Sequence, residues 1–444
     1  MAHTLALVLG IVSAVRAFNH PRRVVSLPSR TPSYEVLPTA SFSASLSRAV
    51  TNSSRALEAL RASSLDSYNL TSVLTSADGG FRYYADIDVG GQDFKVLVDT
   101  GSSDTWLIQK GFSCFDIDFN PETEDECGFG TAGFDPSQSP TFVPLVGKNL
   151  NITYGDGTFA VGPVGTDTMT VGGLTVTAQE FGVPNMTAWE GEGIEGGLLG
   201  LAYPALTTVH NESDPTLDSP TNLALYNPFL FSAINQGVLS TPVFSVSLDR
   251  GTIADEESGD EKPNKGVLAF GGIAPVSVTN TTASAPVLLF SGFVPNAKAD
   301  VFYGVTVDSY VFPGSTALST RSFAVLDTGT ALSFIPTPIV QAVVEKFVPS
   351  ATVQDDVFFV DCNATAPAFA VTIAGIEFAV DPKDLILPGG IDDDGNDICI
   401  SGVQDGGPDN GGDIFILGDT FLHNVVASFD VGANVVHVSQ RTPY

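Results

Sequence analysis

A chain of 444 residues, 43% hydrophobic and only 16% charged, can bury one large core or two ordinary ones, and two globular units are the default expectation. Its formal net charge of −31 excludes nucleic acid as a partner, because phosphate contacts need Lys and Arg. Glycine (44), proline (28) and phenylalanine (30) are plentiful, and stretches such as 152–176 alternate β-branched residues with turn formers, so the expected fold class is all-β.

Residues 1–17, MAHTLALVLGIVSAVRA, carry an apolar run from Leu5 to Val12 and a small-residue end at Ala17, the pattern of a signal peptide. The run is far shorter than the roughly 20 residues a membrane-spanning helix needs, so secretion is expected and membrane anchoring is not. An acidic vacuole is the alternative destination. Residues 18–70 then read as a basic propeptide. Seven arginines against three acids leave residues 1–70 at +4 and the remainder at −35, so the head can pair with an acidic body at neutral pH and loosen as carboxylates protonate. A solvated linker is the plainer reading of the Ser-, Ala- and Pro-rich stretch 26–65. A first lobe over 71–250 and a second over 251–444 complete the expected organisation, with the acidic stretch 251–265 as a surface loop near their boundary.

Cys114 and Cys127 lie close together, and Cys362 and Cys399 lie further on, which in an exported chain suggests two local disulfides. Zinc is the alternative, but neither pair has C-x-x-C spacing and no histidine is near in sequence. Seven Asn-x-Ser/Thr sequons, at Asn52, Asn69, Asn151, Asn185, Asn211, Asn280 and Asn363, fit the same export route.

An internal repeat organises the rest. Val96-Leu97-Val98-Asp99-Thr100-Gly101-Ser102 recurs as Ala324-Val325-Leu326-Asp327-Thr328-Gly329-Thr330. Leu198-Leu199-Gly200 ends 101 positions after the first Asp, and Ile416-Leu417-Gly418 ends 91 after the second. Each aliphatic triplet suits a buried strand that delivers its Asp at the strand end, where Thr-Gly turns the chain. One such Asp alone is a turn residue; two related ones, brought together, cannot both ionise cheaply and share one proton. The ionised member can then take a proton from water while the protonated member donates to a carbonyl oxygen or departing amine, which is amide hydrolysis without a covalent intermediate. Ser102 and Thr330 have hydroxyls to hydrogen-bond the outer carboxylate oxygens. Helices are few: 338–347 and 223–236 carry the best helical signals.

From about Phe81 to Tyr444 these residues resemble the pepsin-like aspartic proteases, whose two signatures match DTGSS at 99–103 and DTGT at 327–330. The resemblance implies a bilobal fold of two pseudo-twofold related β lobes with a few short helices. It implies an acid endopeptidase with Asp99 and Asp327 catalytic, supported by Thr100, Gly101, Ser102, Thr328, Gly329 and Thr330. Tyr154-Gly155-Asp156-Gly157 falls where the family carries its flap, a hairpin that closes over substrate, and Asp156 at its tip is similar to secreted fungal members. Trp106 matches the tryptophan that supports the flap tyrosine. Leu97, Leu198 and, by position, Trp189 match a pocket for bulky apolar side chains beside the scissile bond. The resemblance also implies pairing of Cys114 with Cys127 and of Cys362 with Cys399. It further implies zymogen synthesis, with Arg48, Arg55 or Arg61 facing the aspartates, together with peptide substrates, inhibition by pepstatin-like compounds, a monomer and no cofactor or metal. Ala331 departs from the usual DTGTS, leaving Thr330 next to the aspartate intact.

Other motifs are set aside. Gly191-Glu192-Gly193-Ile194-Glu195-Gly196 has G-x-G-x-x-G spacing, but no helix signal follows and two glutamates would repel a pyrophosphate, so it reads as a loop. The acidic run 392–397 lacks the glutamate that closes a calcium loop. There is no H-E-x-x-H and no G-x-S-x-G. The rival from another class is an inactive member of the same fold serving as a binding or inhibitor protein, which loss of either Asp would signal; both are present.

Overall fold

The computed structural model describes residues 37–50, 81–154, 157–250, 265–288, 300–312, 321–354, 356–391, 396–408 and 414–444. The expected signal peptide, Arg55, Arg61, Asn52, Asn69, Gly155, Asp156 and the loop 251–264 lie outside them, as does most of the acidic run 392–397. Strands dominate the described residues, as the all-β expectation requires. The helices are shorter than their sequence signals: Thr337–Val344, and Phe229–Asn235 in place of 223–236. Pro228 explains the second difference. It occupies the N-cap, lacks an N–H, and pushes the residue before it out of the helical region.

The described residues fall into two compact units. The first holds 84–240 and 300–302, the second 37–50, 81–83, 241–250, 265–288 and 303–444. The chain passes from the first unit to the second at 240/241 and returns once to the first. The physical reason is hydrogen bonding. Val243–Leu248 is sandwiched between Gly266–Phe270 and Val425–Asp430, both antiparallel to it, and every side chain of Val243–Leu248 is buried. Val301, in turn, accepts from Tyr203 N–H within the first unit.

Part of the expected propeptide is also built in. Phe42–Val50 runs antiparallel to Gly266–Phe270, with Phe42 opposite Phe270 and Ser45 opposite Val267, and Arg48 is 0% exposed with Nη1 donating to Asp249 O at 3.2 Å. The solvated-linker reading does not apply to that strand. It extends a run of antiparallel strands of the second unit, followed by Gly266–Phe270, Val243–Leu248, Val425–Asp430, Val435–Arg441 and Val278–Pro286. The same unit has a seven-stranded sheet containing Ser322–Leu326 and Ile414–Leu417, and a four-stranded sheet that carries Cys399. All four cysteines are bridged, Cys114 to Cys127 and Cys362 to Cys399. Among the described residues no helix is long and apolar enough to cross a membrane.

Candidate active site

In the first unit, Gln92–Asp99 alternates toward its start and is fully buried over Val96, Leu97, Val98 and Asp99. Continuous burial follows from strands on both flanks and on the next layer. Gly197–Gly200 lies parallel to it, placing Leu198 opposite Leu97 and Gly200 opposite Asp99, and pairs on its other side with Thr105–Leu107. Asp99 thus sits at a strand end with the chain turning beneath it. Gly101 N–H and Ser102 N–H donate to its Oδ1 at 2.7 and 3.2 Å, and Ser102 Oγ donates to its Oδ2.

The second unit repeats this construction. Ser322–Leu326 runs parallel to Ile414–Leu417, with Leu326 opposite Leu417, and Phe334 of Ser333–Ile335 pairs antiparallel to Ile416. Gly329 N–H donates to Asp327 Oδ1 at 2.8 Å and Thr330 Oγ1 to Oδ2 at 2.7 Å. The two downstream glycines share one role. A Cβ on Gly200 would overlap the backbone of Ser103 and Asp104, and one on Gly418 would overlap the carbonyls of Thr330 and Leu332. Only glycine lets the strand pass this close to the loop that follows each Asp.

Asp99 is 3% exposed and Asp327 0%, so each carboxylate has lost most of its water. Donors from the next two or three residues replace it. Thr100 and Thr328 are buried beside them. Ala331, in place of the usual Ser, still accepts from Thr420 N–H and Oγ1 through its carbonyl.

The remaining residues of the first unit assemble around one hairpin. Val143–Thr153 and Phe159–Val171 pair antiparallel, and Tyr154 N–H donates to Thr158 O at 2.8 Å where the strands turn. Trp106 Nε1 donates to Tyr154 Oη at 2.8 Å. Trp189, placed in the sequence only by counting, stands edge-on to both: ring centroids are 5.1 Å from Trp106 and 5.7 Å from Tyr154. Leu97 and Leu198 are buried on adjacent strands of the same sheet. Of the sequons, Asn185, Asn211, Asn280 and Asn363 are exposed, whereas Asn151 is half-buried with its amide donating to Asp218 at 2.8 Å.

The family model described as eukaryotic aspartyl protease matches residues 82–441. The chain belongs to that family. A protein of Aspergillus fumigatus named "Probable aspartic-type endopeptidase" is 37% identical over 375 residues, covering 81% of this chain and 79% of its own. Rhizopuspepsin-2 of Rhizopus niveus is 30% identical over 354 residues, 79% of this chain and 76% of that protein. The crystal structure of an aspartic proteinase from Irpex lacteus matches with a TM-score of 0.61 over 81% of this chain and 94% of that one; at 21% identity this is a likeness of fold.

Several buried acids of this aspartyl protease escaped the sequence reading, among them Asp419, Asp104 and Glu195. Asp419, directly after Gly418, is 1% exposed and neither of its carboxyl oxygens has a hydrogen-bond partner among the described residues. Burial first, and the neighbouring Asp327 second, push it well above the usual carboxylate range. Its signal was the Asp in Ile416-Leu417-Gly418-Asp419, where the first copy has Leu201. Asp104, two residues past Ser102, is fully buried; Thr208 N–H and Oγ1 donate to its Oδ2 at 2.8 and 2.9 Å. Burial drives it up to about 7, hydrogen bonds from Thr208 and Tyr226 offsetting part of the rise. Glu195 is 0% exposed and touches Trp189.

Proposed function

We propose that this family member is an acid endopeptidase in which Asp99 and Asp327 act as a pair. The observation that supports this most is the duplication of the cradle: two buried carboxylates, each at the end of a strand, each held by the amide and hydroxyl of the residues after it. Sharing one proton, the pair uses its ionised member to take a proton from water, whose oxygen attacks the peptide carbonyl carbon. The protonated member donates to the carbonyl oxygen. Collapse of the resulting diol breaks the C–N bond as the nitrogen receives a proton, and the pair returns to its starting state.

The hairpin bearing Tyr154 closes over the substrate, and Leu97, Leu198 and Trp189 favour bulky apolar side chains beside the cleaved bond. Residues 1–17 direct secretion and 18–70 act as an inhibitory propeptide, its arginines paired with an acidic body until acid protonates the carboxylates. The strand Phe42–Val50 supports that reading, since it ties the basic head to the second unit. The active protein is a monomer that binds pepstatin-like inhibitors.

The test is cleavage of a denatured protein from acid to neutral pH after acid activation, with wild type, Asp99→Asn and Asp327→Asn. Acid-confined activity, blocked by pepstatin and lost in both variants, is expected. A folded, propeptide-free wild type without activity would overturn it and favour an inactive binding protein.

A further inference from the structure

The 191–196 stretch, whose glycine spacing imitates a dinucleotide loop, is fastened to the disulfide-bridged segment of the first unit. Gly191 N–H donates to Cys127 O at 3.0 Å, Gly193 N–H to Gly128 O at 2.7 Å, and Gly130 N–H to Glu195 O at 3.0 Å. The backbones approach so closely that a Cβ on Gly191 would overlap Gly128 and one on Gly130 would overlap Ile194. These contacts hold Glu195 inside the unit. Its Oε1 accepts from Trp189 Nε1 at 3.2 Å and its Oε2 from Glu192 N–H at 3.2 Å.

An indole can flip about its side-chain axis, and the two orientations fill similar volume. Only one presents the N–H to Glu195, so the carboxylate selects it. Trp189 then meets Trp106 at an interplanar angle of 85° and Tyr154 at 66°, while Trp106 Nε1 holds Tyr154 Oη. Burying a carboxylate is a poor way to gain stability, since an apolar side chain of similar volume avoids the desolvation penalty. Its use here is orientation.

We propose that Glu195 is a positioning residue for peptide hydrolysis: it fixes the Trp189 indole and, through Trp189 and Trp106, the tyrosine at the base of the 153–159 hairpin. The inference rests on the reading of that hairpin as the element that closes over substrate.

The experiment compares hydrolysis of an internally quenched peptide in acid by wild type, Glu195→Gln, Glu195→Leu, Trp189→Phe and the Glu195→Leu/Trp189→Phe double variant, at a temperature below every melting point. Loss of the buried hydrogen bond in Glu195→Leu should lower kcat/KM about tenfold. Glutamine keeps a carbonyl acceptor for the indole and should remain within about threefold of wild type. In the Trp189→Phe background no N–H remains to be held, so Glu195→Leu should change kcat/KM less than about twofold. Destabilisation alone would not produce that pattern. The chain has two tryptophans, Trp106 and Trp189, both in this cluster, so the emission spectrum should shift in Glu195→Leu and not in Glu195→Gln.

A Glu195→Leu enzyme within twofold of wild type, or an equal loss in both backgrounds, would overturn the proposal. Trp189→Phe should itself lose a similar factor, and wild-type kcat/KM there would overturn the proposal even if Glu195→Leu does not fold. An inactive wild type would instead sink the peptidase reading, while the fluorescence still reads whether Glu195 holds Trp189.

Discussion

Each unit buries an aspartate away from its Asp-Thr-Gly turn, and the two respond to burial in opposite ways. Asp104 of the first unit has hydroxyl and amide donors but no cation against it among the described residues, and its carboxyl rises to about 7. Asp384 of the second unit is 2% exposed, yet Arg250 Nε and Nη2 donate to it at 3.0 and 2.9 Å, Asn424 at 2.8 Å, and His423 Nδ1 lies 3.1 Å away. Burial alone would raise it as well, but His423 and Arg250 bring it down to about 2. Burial sets the size of the stakes; the partner sets the sign. Asp104 is therefore suited to acid and Asp384 to neutral pH.

The strongest way to break the comparison is at the cradles, where the units should behave alike. Asp99→Asn and Asp327→Asn should each lower kcat by roughly 10²–10⁴-fold with the fold retained by circular dichroism. If one variant kept most of its activity, the two halves would not be chemical equals.

The next effect should separate them. The Asp104 carboxyl is raised in the folded state, so its stabilising contribution is complete below an unfolded value near 3.8 and is lost as pH rises toward about 7. That amounts to on the order of 4 kcal/mol across the window. Unfolding by urea at a series of pH values should show stability falling from acid to neutral, and Asp104→Asn should flatten that slope. An unchanged slope would remove Asp104 as the source of that pH dependence.

For Asp384 the sign reverses. Its folded value lies below the unfolded one, so its contribution is present above about 3.8 and is lost as pH falls toward 2. Asp384→Asn should destabilise by about 3 kcal/mol at neutral pH, leaving Arg250 with an uncompensated charge, and by much less in strong acid. Equal loss at both pH values would contradict the charge argument. The smallest effect is expected at the hairpin: Trp106→Phe removes the bond to Tyr154 Oη and should lower kcat/KM about fivefold, corresponding to roughly 1 kcal/mol. Peptide kinetics on the purified variant would measure it.

The repeat around Asp99 and Asp327 was legible because its chemistry is local. An aliphatic triplet, an Asp, a turn and hydroxyl donors two or three residues away are all contained in seven positions, and the structure builds both copies from those residues. The disulfides and the Trp106–Tyr154 contact were reachable from spacing together with family likeness. The long-range strand partners were not. The polar loop at 251–264 marks where sequence changes character, but Val243–Leu248 belongs to whichever sheet pairs with it, and that partner, Val425–Asp430, is about 180 positions away. Nor did sequence give the states of Asp104, Asp384 and Asp419. Three aspartates of one chain differ because of what packs around each: Thr208 and Tyr226, Arg250 and His423, or a neighbouring carboxyl. Glu195 was read as a loop residue because its partner, Trp189, matters only once both lie in one core. What the sequence determined by itself is chemistry carried along the backbone. What only the tertiary structure decided is solvation and pairing, which depend on distances that the order of residues does not contain.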